Sequence, residues 1–156
     1  MQIHHIYVSP GHNFYGHHGM PPDSHQMLEV DQVECVAGKG LAGDRFFDYK
    51  PDYKGQVTFF SMEVHEALQQ RFGKTYSPSC YRRNVIVSEV DLNALIGKEF
   101  EVGGLRFLGS CEAAPCYWMD QAIAEGAEEA MKGSGGLRAK ILSDGTLRRS
   151  SAAVVS

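Results

Sequence analysis

The strongest constraint on this chain is a succession of short apolar runs with a period of two, separated by glycine-rich turns. Ile3–Val8, Leu28–Val36, Gln56–Phe60, Val85–Val90, Glu99–Val102, Leu105–Leu108 and Leu137–Leu142 all read as strands. In Leu28-Glu29-Val30-Asp31-Gln32-Val33 the apolar side chains alternate as the two faces of a strand do. Gly103-Gly104 joins two of these runs and readily takes the positive φ angles of a tight hairpin turn. Asp144-Gly145 predicts a second hairpin. Only two stretches carry a helical period. Met62–Phe72 places Val64, Leu68 and Phe72 on one face, with Ser61 as N-cap and Gly73 as stop. Residues 120–132 place Ile123, Ala127 and Met131 on one face, with Gly126 as a weak point. Many strands and two helices predict a mainly β fold: a closed or nearly closed β-barrel with a few peripheral helices.

The 156 residues make one domain, and no linker or internal repeat divides them. The least regular stretch, residues 9–27, is rich in Gly, Pro and His. A net charge of -4 argues against a nucleic-acid coat, because phosphate affinity comes chiefly from Lys and Arg. The tyrosines show no stacking register for single strands. No apolar run reaches the roughly 20 residues that span a bilayer, and the first residues do not resemble a signal peptide. The expected location is the cytosol, where the four cysteines are thiols or ligands and not disulfides.

Cys116 lies between a strand and a helix, beside the single Trp. A thiolate at a helix N-terminus is favoured by the helix dipole and suits a metal or acts as a nucleophile. The alternative is a small buried apolar residue. Cys111, five positions earlier, makes a poor zinc knuckle with it, and Cys35 and Cys80 read as structural. Three glycine-plus-arginine junctions accompany the cysteine. In Gly38–Arg45, Gly43 lets backbone amides approach an anion and Arg45 adds a forked contact; the alternative is a turn capped by Asp44 and Arg45. Arg82-Arg83-Asn84 enters an apolar strand, and Gly135-Gly136-Leu137-Arg138 enters another. Three such junctions in one acidic chain point to one converging anion pocket. His12, His17, His18 and His25 fall close together but at irregular intervals, so a loop over the pocket is favoured there over a zinc or nickel site.

Taken in order, Gly43-Asp44-Arg45, Arg82-Arg83-Asn84, the run Asp91–Gly97, Pro115-Cys116 and Gly136-Leu137-Arg138-Ala139 resemble a MOSC domain, the module named for the C-terminal part of molybdenum cofactor sulfurases. The resemblance covers residues 28–149 and is similar to stand-alone bacterial members. It implies a β-barrel that binds the molybdenum cofactor, an anionic pterin carrying oxo-molybdenum. It also implies that Cys116 ligates the metal or carries sulfur, and that Arg45, Arg82, Asn84 and Arg138, with Gly43 and Asp44, surround the pterin. The implied activity is reduction of N-hydroxylated compounds with an external electron donor. Sulfur transfer through a Cys116 persulfide fed by a sulfur donor, or non-enzymatic binding of an anionic ligand, are the alternatives. A small-molecule substrate is expected, and exposed strand edges leave room for a homodimer. Many members carry His after Gly-Asp-Arg, where Phe46-Phe47 stand here. No lysine is marked for a pyridoxal phosphate Schiff base, and nothing reads as a flavin, haem or iron–sulfur site.

Overall fold

A computed structural model describes residues 1–10 and 27–150. Ten strands are named β1 (Gln2–Val8), β2 (Leu28–Val30), β3 (Gln32–Val36), β4 (Gly40–Leu41), β5 (Val57–Ser61), β6 (Val85–Ser88), β7 (Glu99–Val102), β8 (Leu105–Glu112), β9 (Leu137–Ile141) and β10 (Gly145–Arg148). The helices are α1 (Met62–Phe72), α2 (Trp118–Ala122) and α3 (Ala127–Ala130). Seven strands form one sheet in the order β2-β1-β6-β5-β9-β8-β7, and three form a second in the order β10-β3-β4. All neighbours are antiparallel except β5 and β6.

Alternation along the strands sorts the apolar side chains into two cores. Ile6, Phe59, Val85, Phe107 and Leu137 meet Val33, Cys35, Leu41 and Leu147 of the small sheet. The alternate residues Tyr7, Phe60 and Ile86 meet the helices through Leu68, Met119, Ile123 and Met131. The mainly β class with few helices is therefore as expected. Among the described residues the strands form two sheets that share a core, and neither closes on itself as the expected barrel would.

Three expected elements change, each for a local reason. The run 28–36 is bent at Asp31 and divided between the sheets as β2 and β3. Its alternation slips there, from Leu28 and Val30 to Val33 and Cys35, because Asp31-Gln32 inserts one extra polar position. Asp144-Gly145 is not a hairpin, because β10 pairs with β3 and not with β9. The Asp144 carboxylate instead accepts the Ala37 amide at 2.7 Å. The helix expected over residues 120–132 is two short pieces, broken where Gly126 takes φ 91°. By contrast α1 has the expected ends: Ser61 Oγ accepts the Val64 amide at 3.2 Å, and Gly73 closes it at φ 60°.

Under α1, His65 Nδ1 lies 2.8 Å from the Tyr81 hydroxyl, which lies 3.0 Å from that of Tyr76. Burial pushes the His65 pKa down and those of both tyrosines up. A histidine depressed on folding stabilises the fold fully above its unfolded value, near 6.5, and less as pH falls through its folded value. Chemical denaturation between pH 7.5 and about 5 should show stability falling with pH, less steeply in His65→Gln. Equal slopes would mean the buried ring carries no penalty for charging.

At the start of β6, Asn84 braces three strands. Its Oδ1 accepts the Thr58 amide at 3.0 Å and the Thr58 hydroxyl at 3.1 Å, and its Nδ2 donates to Tyr7 O at 3.1 Å. Its own amide donates to Thr58 Oγ1 at 2.9 Å. Asn84→Ala strands a buried amide and a carbonyl, so urea titration should read a loss of about 3 kcal/mol.

Candidate functional site

The three arginine-bearing junctions, two of them with glycine, come together at the end of the large sheet where β1 ends and β6 begins. The loop after β4 turns back at Gly43, with φ 86°. Asp44 is buried there, and its carboxylate is consumed inside the protein. Oδ1 accepts the Ser9 amide at 3.0 Å and Arg45 Nη1 at 3.1 Å, while Oδ2 accepts the Phe46 amide at 3.3 Å. Arg45 extends to the neighbouring junction, donating from Nη2 to Arg82 O at 3.0 Å, and its guanidinium lies 4.8 Å from the Phe46 ring centroid. Arg82 is buried and held at φ 56°, a left-handed conformation that costs a non-glycine residue about 1 kcal/mol or more. Its amide closes the short 3-10 turn Pro78–Tyr81, and its Nη2 reaches Ser9 Oγ at 3.3 Å. Burial and the nearby Arg45 charge pull the Arg82 pKa down to about 10, against the opposing pull of Asp44.

Arg83 joins this group to the third junction. Its Nε donates to Gly135 O at 3.0 Å, Nη1 to Tyr81 O at 3.2 Å, and Nη2 to Ala113 O at 2.9 Å and Ala114 O at 3.3 Å. Burial is the first cause of its pKa falling to about 10, and the Arg138 charge is the next. Cys116 and Glu112 act in the opposite sense and Arg45 in the same sense as Arg138. Groups from four separate segments therefore surround one guanidinium.

Cys116 itself is exposed, at the end of the loop that follows β8. The helix after it has five residues, so the dipole anticipated from the sequence is short. What places the loop is glycine. A Cβ on Gly135 would stand 2.2 Å from Ala113 O, and one on Gly136 would stand 2.4 Å from Phe59 O. Ala113 in turn donates to Gly136 O at 2.9 Å.

Arg138 is the second residue of β9. It faces Thr58 of β5 on one side and Cys111 of β8 on the other, so the three share the sheet face opposite Phe59. The Arg138 side chain is half-buried and makes no hydrogen bond or ion pair among the described residues. Cys111 is half-buried beside it; burial pushes the Cys35 and Cys80 thiols up to about 12, in keeping with structural roles.

Of the residues named from the sequence, Arg45, Arg82, Arg138 and Cys116 lie around one region. Asp44 and Asn84 point their polar atoms into the protein and act there as supports. Phe46 packs on Tyr53 at 5.5 Å, where a histidine was noted as absent. His12, His17, His18 and His25 lie outside the described residues. Among the described residues no three metal-ligating side chains gather. Reading the sequence missed Ser9, Thr58 and Glu112, which carry no motif, and left Arg83 among the members of a motif without a role.

With this geometry in place, the comparisons with known proteins are specific. The MOSC domain model matches residues 16–150, and the chain belongs to that family. No curated protein matches the sequence. Among solved structures it is similar to the YuaD protein of Bacillus subtilis, at 17% identity and TM-score 0.71, covering 94% of this chain and 90% of that one. It is similar to YiiM of Geobacillus stearothermophilus, at 14% identity and TM-score 0.68, covering 94% of this chain and 70% of that one. It is also similar to YiiM of Escherichia coli, at 15% identity and TM-score 0.64, covering 95% and 66%. At these identities the structural likeness establishes the fold.

Two glycines make a test of how β9 is seated. Gly126 takes a positive φ in open space, so Gly126→Ala should cost about 1 kcal/mol. Gly136→Ala adds a backbone clash to its φ of 110° and should cost about 3 kcal/mol or more by thermal denaturation. Equal losses would refute the close approach of Gly136 to Phe59.

Proposed function

We propose that the chain binds the molybdenum cofactor at the Arg138 and Cys116 end of the sheet and reduces N-hydroxylated compounds. The single observation that carries this is Arg138. A half-buried guanidinium with no counter-charge among the described residues, set against a second guanidinium, is an arrangement that an anion completes. The donors of Arg83 are committed to four carbonyls, while Arg45 and Arg82 brace each other and Ser9. Arg138 is the side chain left to grip the cofactor's anionic group.

The residues present fit that group. Arg138 would hold its anion, Arg45 and Arg82 would keep the wall positive, and the exposed Cys116 would offer a soft thiolate to the metal. When bound, the cofactor supplies a metal centre that exchanges electrons and takes up oxygen. Converting N–OH to N–H consumes two electrons and two protons and releases water, so an external redox partner is part of this reading. The four free thiols agree with a cytosolic setting, and no helix among the described residues is long and apolar enough to cross a membrane.

The test is molybdenum per chain in protein from a host that makes the cofactor. Arg138→Met should lower it about tenfold, the effect of losing one charge-assisted contact, while leaving the thermal midpoint in place because no protein hydrogen bond is removed. Cys116→Ser should lower it as well. Full molybdenum in both variants would overturn the assignment. The exposure of Cys116 also supports the second reading, a sulfur carrier, since a donor protein can reach the thiol. That reading predicts an added sulfur on Cys116 by mass spectrometry after incubation with a desulfurase. Binding of an anion that survives Cys116→Ala, with neither metal nor sulfur, would leave a non-enzymatic ligand module.

A further inference from the structure

We propose that Arg83 is a positioning residue that clamps the Cys116 loop onto the strand carrying Arg138 and is not itself a contact for the bound anion. The inference rests on the site reading above, but its evidence is separate. Three guanidinium nitrogens reach four carbonyl oxygens, at 2.9 to 3.3 Å, on three segments: Tyr81, the Ala113-Ala114 step, and Gly135. Backbone carbonyls are neutral partners. A half-buried charge spent on four of them is costly to place and returns a fixed geometry. That geometry is the one the site needs. Cys116 lies two residues after Ala114, and Arg138 lies three residues after Gly135.

The clamp supplements contacts that are weaker alone. Ala113 and Gly136 share one backbone hydrogen bond at 2.9 Å, and Glu112 Oε2 accepts the Gly135 amide at 3.3 Å. The bare backbones of Gly135 and Gly136 bring the loop and the strand into close approach, and Arg83 ties both ends of it to the entry of β6. Lysine could supply the charge at this position but not the planar fork that spans three segments.

Arg83→Met and Arg83→Lys test this by two readings that need no cofactor. The first is hydrogen exchange of the Ala113 amide. Both variants should accelerate it about tenfold or more, as expected for losing one to two buried hydrogen bonds. The second is the ratio of iodoacetate to iodoacetamide alkylation rates at Cys116, read by peptide mass spectrometry. The ratio cancels the thiolate fraction and reports the positive field at the sulfur. Arg83→Met should lower it about threefold, the effect of a unit charge several ångströms away in water-like surroundings. A general loss of stability would not move this ratio. Wild-type Ala113 exchange in Arg83→Lys would overturn the clamp, as would an unchanged ratio in Arg83→Met.

If neither variant folds, the wild type decides. Three hydrogen bonds from Nη1 and Nη2, with the fourth from Nε, should hold the Arg83 Nη protons as separate NMR signals, and one averaged signal would overturn the proposal. An absence of molybdenum in the holoprotein experiment would defeat the cofactor reading and leave these readings untouched.

Discussion

The site depends on one amide side chain that continues the sheet where strand pairing stops. Asn84 stands one residue before β6. It meets the Thr58 amide and hydroxyl on one side and Tyr7 O on the other, while Tyr7 donates its amide to Asn84 O at 2.6 Å. A buried, satisfied network of this kind fixes one backbone path in a way that dispersion contacts do not. Because β1, β5 and β6 are locked at that point, the two residues before Asn84 must project from a fixed base. Those residues are Arg82 and Arg83.

From that base the two arginines diverge in function. Arg82 turns through a left-handed backbone toward Ser9 and Arg45, bringing two guanidiniums beside the Asp44 carboxylate. Arg83 turns the other way, toward the Gly135 and Ala113 carbonyls. Positive charge is thus concentrated in a partly desolvated region with Asp44 and Glu112 as the acidic groups that act on these arginines. Arg83 and Arg138 repel each other there, and among the described residues no acidic side chain pairs with Arg138. The overall charge of -4 gives no hint of this, since it averages over a surface that the site does not share.

Local signals read most reliably where the residue itself imposes the conformation. Ser61 and Gly73 bound α1 as their capping chemistry requires, and Gly103-Gly104 turns β7 into β8. The reading failed where the partner of a strand had to be known. Asp144-Gly145 makes a turn in either arrangement, but only packing decides that β10 joins β3 across the core. Closure into a barrel is a different matter from pairing order, and period two does not record it, since it marks which face is buried and not how the edges end. The divided helix near Gly126 is an intermediate case: the glycine was visible, and the left-handed turn it takes was not.

The amino-acid sequence by itself determined the β class, the capped helix, and the set of arginines, glycines and cysteine that mark the family, because these are properties of residue type and spacing along the chain. Only the tertiary structure decided what each of them does. Asp44 and Asn84 became supports, Arg83 met four backbone carbonyls, and Arg138 has no ion pair among the described residues. The reason is physical: a hydrogen-bonding side chain serves whichever acceptor the fold brings within about 3 Å, and residues as distant as Arg83 and Gly135 meet only after the sheet has formed.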